Sequence, residues 1–154
     1  MEATAVASTR TNNQGVFAAT VDVTGPVVVT VSTDSQTTML DELSGASSAV
    51  PVNLALHAAV PALTTTPIAV TPLTEMAYAM AGVASGGLTV TNIDAANSAV
   101  SGAMLDGAPI LSTLPIDLAA FKSATVAQQA QAKLLTAMAL AAKDGIAVGP
   151  TGVA

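Results

Sequence analysis

Cysteine is absent from this 154-residue chain, and tryptophan with it. Without cysteine there is no disulfide, no thiolate zinc site, no iron–sulfur cluster and no thiol nucleophile. The lack does not fix a compartment, because exported bacterial proteins often share it. Aromatic residues amount to only 2%, namely Phe17, Tyr78 and Phe121. Basic residues are almost as scarce: Arg10 stands alone in the first 121 positions, and Lys122, Lys133 and Lys143 follow. Counterion release at a phosphate backbone needs clustered Lys and Arg, so nucleic acid is not expected as a partner. An anionic membrane surface is not expected for the same reason. No apolar run is long enough to span a bilayer. The start, Met1-Glu2-Ala3-Thr4, lacks the basic and apolar regions of a signal peptide. We therefore expect an excerpt of a longer exported chain rather than a cytoplasmic protein.

What is present is apolar and small. Apolar residues make up 51% of the chain, dominated by Ala, Val and Leu. A core can form from these, but it buries little area per residue. Charged residues are 9%, against about 25% in average soluble proteins. The surface must then be built from Thr, Ser, Asn, Gln, Ala and Gly, with little charge repulsion to oppose self-association despite a net charge of −6.

The first sixty or so residues read as strands. Thr4 to Arg10 alternates weakly, and Thr11 to Gly15 is a turn signal. Val16 to Val23 places Phe17, Ala19, Val21 and Val23 on one face. After Thr24-Gly25-Pro26, the β-branched run Val27 to Ser32 predicts the clearest strand. Thr33 to Ala49 reads as a long loop. Val52, Leu54, Leu56, Ala58 and Val60 alternate with Asn53, Ala55, His57 and Ala59, a half-buried strand with His57 turned away from the core.

Beyond Pro67 the period changes. Thr71-Pro72 predicts a capped helix with Glu75 in its first turn and Leu73, Met76, Ala77 and Met80 as its apolar stripe. Thr91 and Asp94 have capping-box spacing before a second helix, striped by Ile93, Ala96, Val100 and Met104 and stopped at Asp106-Gly107. Ser123 opens a third and longest helix, about Ala124 to Lys143, with Val126, Ala130, Leu134, Ala137/Met138 and Ala141 inward. The expected fold class is α+β: an N-terminal antiparallel β-sandwich, incomplete as read, followed by a three-helix C-terminal subdomain. The boundaries are residues 1–66 for the sandwich portion, 67–147 for the helical subdomain and 148–154 for a tail or linker.

The order Gly25-Pro26-Val27-Val28-Val29-Thr30-Val31, Asp41-Glu42, Val70-Thr71-Pro72-Leu73-Thr74-Glu75, Ile93-Asp94-Ala95-Ala96-Asn97 and Thr113-Leu114-Pro115-Ile116-Asp117, closed by an Ala-rich helix, resembles a group of proteobacterial secreted proteins and lipoproteins. In that group a transthyretin-like (carboxypeptidase-regulatory-like) β-sandwich precedes a small helical region. The resemblance covers about residues 15 to 145. It implies extracytoplasmic location and supplies no activity or catalytic residues. In the group a further strand precedes the part seen here, so the resemblance implies a truncated sandwich or one whose missing edge another chain supplies.

The search for chemistry returns little. His57 is the lone histidine, with no Gly-x-Ser-x-Gly elbow to serve, and reads as a surface residue. Asp41 and Glu42 are adjacent and point apart in extended chain. Asp94, Asp106 and Asp117 fall where caps and turns explain them. Asp34, Asp41 and Glu42 offer oxygen ligands that calcium would accept, but EF-hand spacing is missing and a solvated acidic turn is the simpler reading. No phosphate-binding glycine loop is present. The lysines lie too late in the chain for a strand isopeptide bond. Met76, Met80, Met104 and Met138 read as core. No catalytic, cofactor-binding or metal residues are assigned, and no cofactor is expected. The expected function is a non-catalytic extracytoplasmic structural or adhesive module of a bacterial surface or secreted protein. The rivals are a self-assembling subunit of an extracellular fibre completed by strand donation, with Glu2 to Arg10 as the donated segment, and a glycan-binding module attached to an exported enzyme. Partners would be other protein chains, including further copies of itself.

Overall fold

In a computed structural model, residues 5–40 and 46–143 are described. Four strands come first: β1 (Val27–Ser32), β2 (Thr38–Leu40), β3 (Ser47–Ala49) and β4 (Ala55–Val60). Helices follow: α1 (Pro72–Val83), α2 (Val90–Met104), a 3₁₀ helix (Leu118–Ser123) and α3 (Val126–Lys143). The class is α+β. Among the described residues the strands form two antiparallel pairs, β1 with β4 and β2 with β3, rather than the expected sandwich. The helix count also differs from three. The chain after Leu114-Pro115 recovers into a 3₁₀ turn, where Asp117 Oδ1 accepts the amide of the second residue, Ala119, at 2.8 Å.

β1 forms where the β-branched run predicts it, in register from Val27 opposite Val60 to Ser32 opposite Ala55. Val16–Val23 and the described residues of Thr4–Arg10 form no strand. An alternating pattern makes a strand only when a ladder partner exists, and none pairs with them among the described residues. Part of the expected loop, Thr33–Ala49, instead folds as the β2–β3 hairpin.

β4 starts three residues later than the alternation placed it. Asn53 sits at a φ of 65° and turns the chain, leaving Val52 and Leu54 exposed. Thr33 fastens this turn: its Oγ1 donates to Pro51 O at 2.7 Å and accepts from Leu54 N–H at 2.9 Å. Ala58 and Ala59 point to opposite faces of the pair, yet both are buried. Both faces of β4 are therefore covered, and the inside–outside reading of the alternation fails here.

Thr71 and Thr74 cap α1 reciprocally. Thr71 N–H donates to Thr74 Oγ1 at 2.9 Å, and Thr74 N–H to Thr71 Oγ1 at 3.4 Å. α2 is capped by Thr89 rather than Thr91, with Asn92 as its third helical residue. Asn92 Nδ2 also holds the incoming loop through Ser85 O and Gly87 O. The helix ends where Asp106 and Gly107 take left-handed φ values of 51° and 86°. Thr125, not Ser123, caps α3 in a box with Gln128.

The core gathers Ala59 of β4, Leu73, Ala77 and Ala81 of α1, Ile93, Ala96 and Val100 of α2, then Leu105 and Ile110. The alanines let α1, α2 and the sheet approach closely, which is how a chain with three aromatics closes a core. Leu134, Leu135 and Met138 of α3 pack against its margin. The stripes are offset from expectation. Met80, Met104 and Val126 are exposed, while Thr74, Ala81 and Gln131 are buried in their place. Gln131 is fully buried, and neither side-chain polar atom finds a hydrogen-bond partner among the described residues.

Candidate functional site: the two edges of the main sheet

The most chemically dense point lies where β4 meets α1. Glu75, one turn into α1, directs Oε2 at β4, where it accepts the backbone N–H of His57 at 2.6 Å and lies 2.8 Å from His57 Nδ1. The imidazole stacks on Tyr78 one turn along, with ring centroids 4.4 Å apart and planes inclined by 20°. His57 is thus not the outward surface residue expected from the alternation. α1 packs on the face that the alternation assigned to solvent, and the histidine side chain keeps 25% of its exposure. Further along β4, Asn97 of α2 donates from Nδ2 to Ala59 O at 3.2 Å.

These bonds fix the orientation of the ladder. In an antiparallel pair, alternate residues aim both backbone groups at the partner strand, and the residues between aim both outward. His57 N–H and Ala59 O are spent on helix side chains, so the outward residues of β4 are Ala55, His57 and Ala59. Their partners in register are Ser32, Thr30 and Val28. On β1 these three present N–H and C=O groups along the opposite edge, where no hydrogen bond meets them among the described residues. One edge of the pair is blocked at two points, by Glu75 and Asn97, and the other is open along its length. β1 carries none of the usual protections of an open edge: no Lys, no internal Pro and no bulge.

Asp34 Oδ1 accepts from Gln36 N–H and Thr37 Oγ1, each at 2.9 Å, and Oδ2 pairs with Arg10 Nη2 at 2.9 Å. The Gln36 amide, then the Thr37 hydroxyl, then Arg10 hold its carboxyl below the ordinary aspartate range. Its oxygens serve a local turn. Asp41 and Glu42, the other two residues considered for calcium, lie outside the described residues. Among the described residues no group of three acidic, His or Cys side chains converges as a metal site would require. Asp106 ends α2 and Asp117 caps the 3₁₀ helix, as expected, whereas Asp94 lies exposed within α2. Of two shallow clefts, one beside Ser101 and Ile110 and the other beside Met80 and Ala99, neither is lined by an ionisable residue. No described helix is long and apolar enough to cross a membrane.

The sequence presents Glu75 as a partner of the helix dipole and both Glu75 and Asn97 as the last residues of segments in the family resemblance, with no bond to β4 implied for either. Local sequence carries no signal for either, since their bonds reach 18 and 38 residues back along the chain. Compared with family models, curated proteins and solved structures, the chain finds no match.

Proposed function

We propose that this chain is a non-catalytic structural or adhesive module of a bacterial surface or secreted protein, and that it works by associating with other protein chains through the backbone of its main sheet. The observation that carries this reading is the open edge of β1. A two-stranded pair is marginal alone, and an unprotected edge is a template for a further strand. The scarcity of charge supports it, with ten acidic and four basic residues in the whole chain. The β1–β4 pair is then part of a transthyretin-like sandwich whose other strands lie outside it. The arrangement at His57 supports a non-catalytic role, since Glu75, Tyr78 and the β4 backbone account for its position as a structural clasp. Assay of the purified chain against ester, peptide and glycan panels tests this half of the reading. We expect no turnover, and turnover abolished by His57→Ala overturns it.

A second reading, a self-assembling subunit of an extracellular fibre, is favoured by one further observation. The segment before β1 keeps a partial strand-like alternation without a ladder: Phe17, Val21 and Val23 are half-buried, while Ala18, Thr20 and Asp22 are exposed, as is Ala19 between Phe17 and Val21. Light scattering across a concentration series, with negative-stain images of the same fractions, tests it. Filaments or regular oligomers are expected, and a monomer at every concentration counts against it.

A further inference from the structure

The segment and the edge are each half of an unmade ladder. Among the described residues, no hydrogen bond reaches the backbone of residues 17–26. Exposed amides are satisfied by water, but three side chains of this segment are already half-buried, so its desolvation is partly complete without any ladder bond. Across the junction, Val28, Thr30 and Ser32 present an unpaired row of the same groups. The simplest remedy, folding Phe17–Val23 back on β1 of its own chain, meets an obstacle at the junction. Gly25 has a φ of 88°, as a type II turn requires at its third position. The fourth position is Pro26, which has no N–H with which to close the turn onto Val23 O. Type II geometry also splays rather than aligns the strands of a two-residue hairpin.

We propose that Phe17–Val23 of one copy adds as a strand to the open edge of β1 in a second copy. This rests on the reading that the chain acts by associating with other chains, and it names the partner and the segment. The lengths correspond: seven residues of donor face the six of β1. Side-chain parity agrees as well. With the half-buried Phe17, Val21 and Val23 beside Val27, Val29 and Val31, one continuous apolar face results, and Ala18, Thr20 and Asp22 fall on the face of Val28, Thr30 and Ser32. Asp22 is the only charge on either element, so no like-charge contact opposes the pairing. The donor is therefore residues 17–23 rather than the 2–10 segment expected from sequence. The described part of that earlier segment is exposed throughout, and Arg10 is tied to Asp34.

The absence of cysteine makes a direct test available. Thr20→Cys and Thr30→Cys replace exposed side chains, and each variant carries one thiol. Mixed and oxidised, they are expected to form the crossed disulfide about tenfold faster than Thr20→Cys mixed with Val83→Cys, an exposed position at the end of α1 and off the sheet, because docking raises the effective concentration. Thr20→Pro removes a donor amide from a segment unpaired in its own chain, so the circular dichroism of the monomer should not change. Self-association should weaken about tenfold, the equivalent of one ladder bond. Association that survives Thr20→Pro, with no preference for the crossed disulfide, overturns this contact while leaving self-association in place. A chain that stays monomeric throughout overturns both. A doubly substituted Thr20→Cys/Thr30→Cys chain that closes within a single monomer overturns pairing between copies in favour of a hairpin in one.

Discussion

The two edges of the β1–β4 pair start from equivalent backbone and end in opposite states. At the β4 edge, α1 and α2 bring Glu75 and Asn97 to His57 N–H and Ala59 O, so two of the groups that could template another chain are occupied and helices lie beside them. At the β1 edge, the corresponding groups of Val28, Thr30 and Ser32 meet no hydrogen-bond partner among the described residues. The difference lies in what is behind each strand rather than in the strands. β4 is backed by the helical core and borrows polar side chains from it, whereas β1 is preceded by a segment with no polar side chain positioned to close its edge. An edge is closed by its neighbours, and where the fold supplies none, a further chain can.

The contrast can be broken most severely at its common support. Leu73 is fully buried in α1 beneath β4, and Leu73→Ala should cost about 3 kcal/mol, read from the urea midpoint. Both edges should be lost in one transition. Removing the carboxylate tests the closed edge alone. Glu75→Ala leaves His57 N–H without its acceptor and should cost about 1–2 kcal/mol, at the lower end of charged hydrogen bonds because the pair is partly exposed. It should also increase self-association, since β4 then resembles β1. Asn97→Ala removes one neutral bond and should cost about 1 kcal/mol by the same measurement.

Smaller effects sharpen the open side. Asp34 is the second residue after β1 and anchors Arg10. Its folded-state pKa is lowered, so its contribution to stability is present above the unfolded-state value and is lost as pH falls through the lowered folded value. In an NMR titration Arg10→Ala should move Asp34 part of the way back up, because the Gln36 and Thr37 bonds remain. The smallest effect on stability is expected from Thr30→Lys, within about 0.5 kcal/mol of the parent. A lysine on an edge strand nevertheless discourages pairing, so light scattering should show self-association reduced while the urea midpoint stays in place.

Much of the helical half was readable locally. Thr71-Pro72 marks the start of α1, and Gly107 marks the end of α2, because caps and left-handed residues act within one turn. The Val27–Ser32 run was equally plain. The reading failed where partners decide the outcome. Val16–Val23 has the alternation of a strand but no ladder, and alternation encodes a face, not a neighbour. Alternation turns His57 outward only in a strand with one dry face, whereas β4 is covered on both. The closed edge was invisible for a related reason: Glu75 and Asn97 are ordinary helix residues until the chain folds them back onto β4.

One stacking contact has a spectroscopic consequence. Tyr78 is the only tyrosine in a chain without tryptophan, and its ring lies against His57, whose amide and imidazole share the Glu75 carboxylate. Excited at wavelengths that phenylalanine does not absorb, the protein therefore emits from a single ring beside the β4 edge. Tyrosine fluorescence is a built-in optical probe of that clasp and needs no label. It reports the β4 edge, while β1, which carries no aromatic residue, contributes nothing to the tyrosine signal.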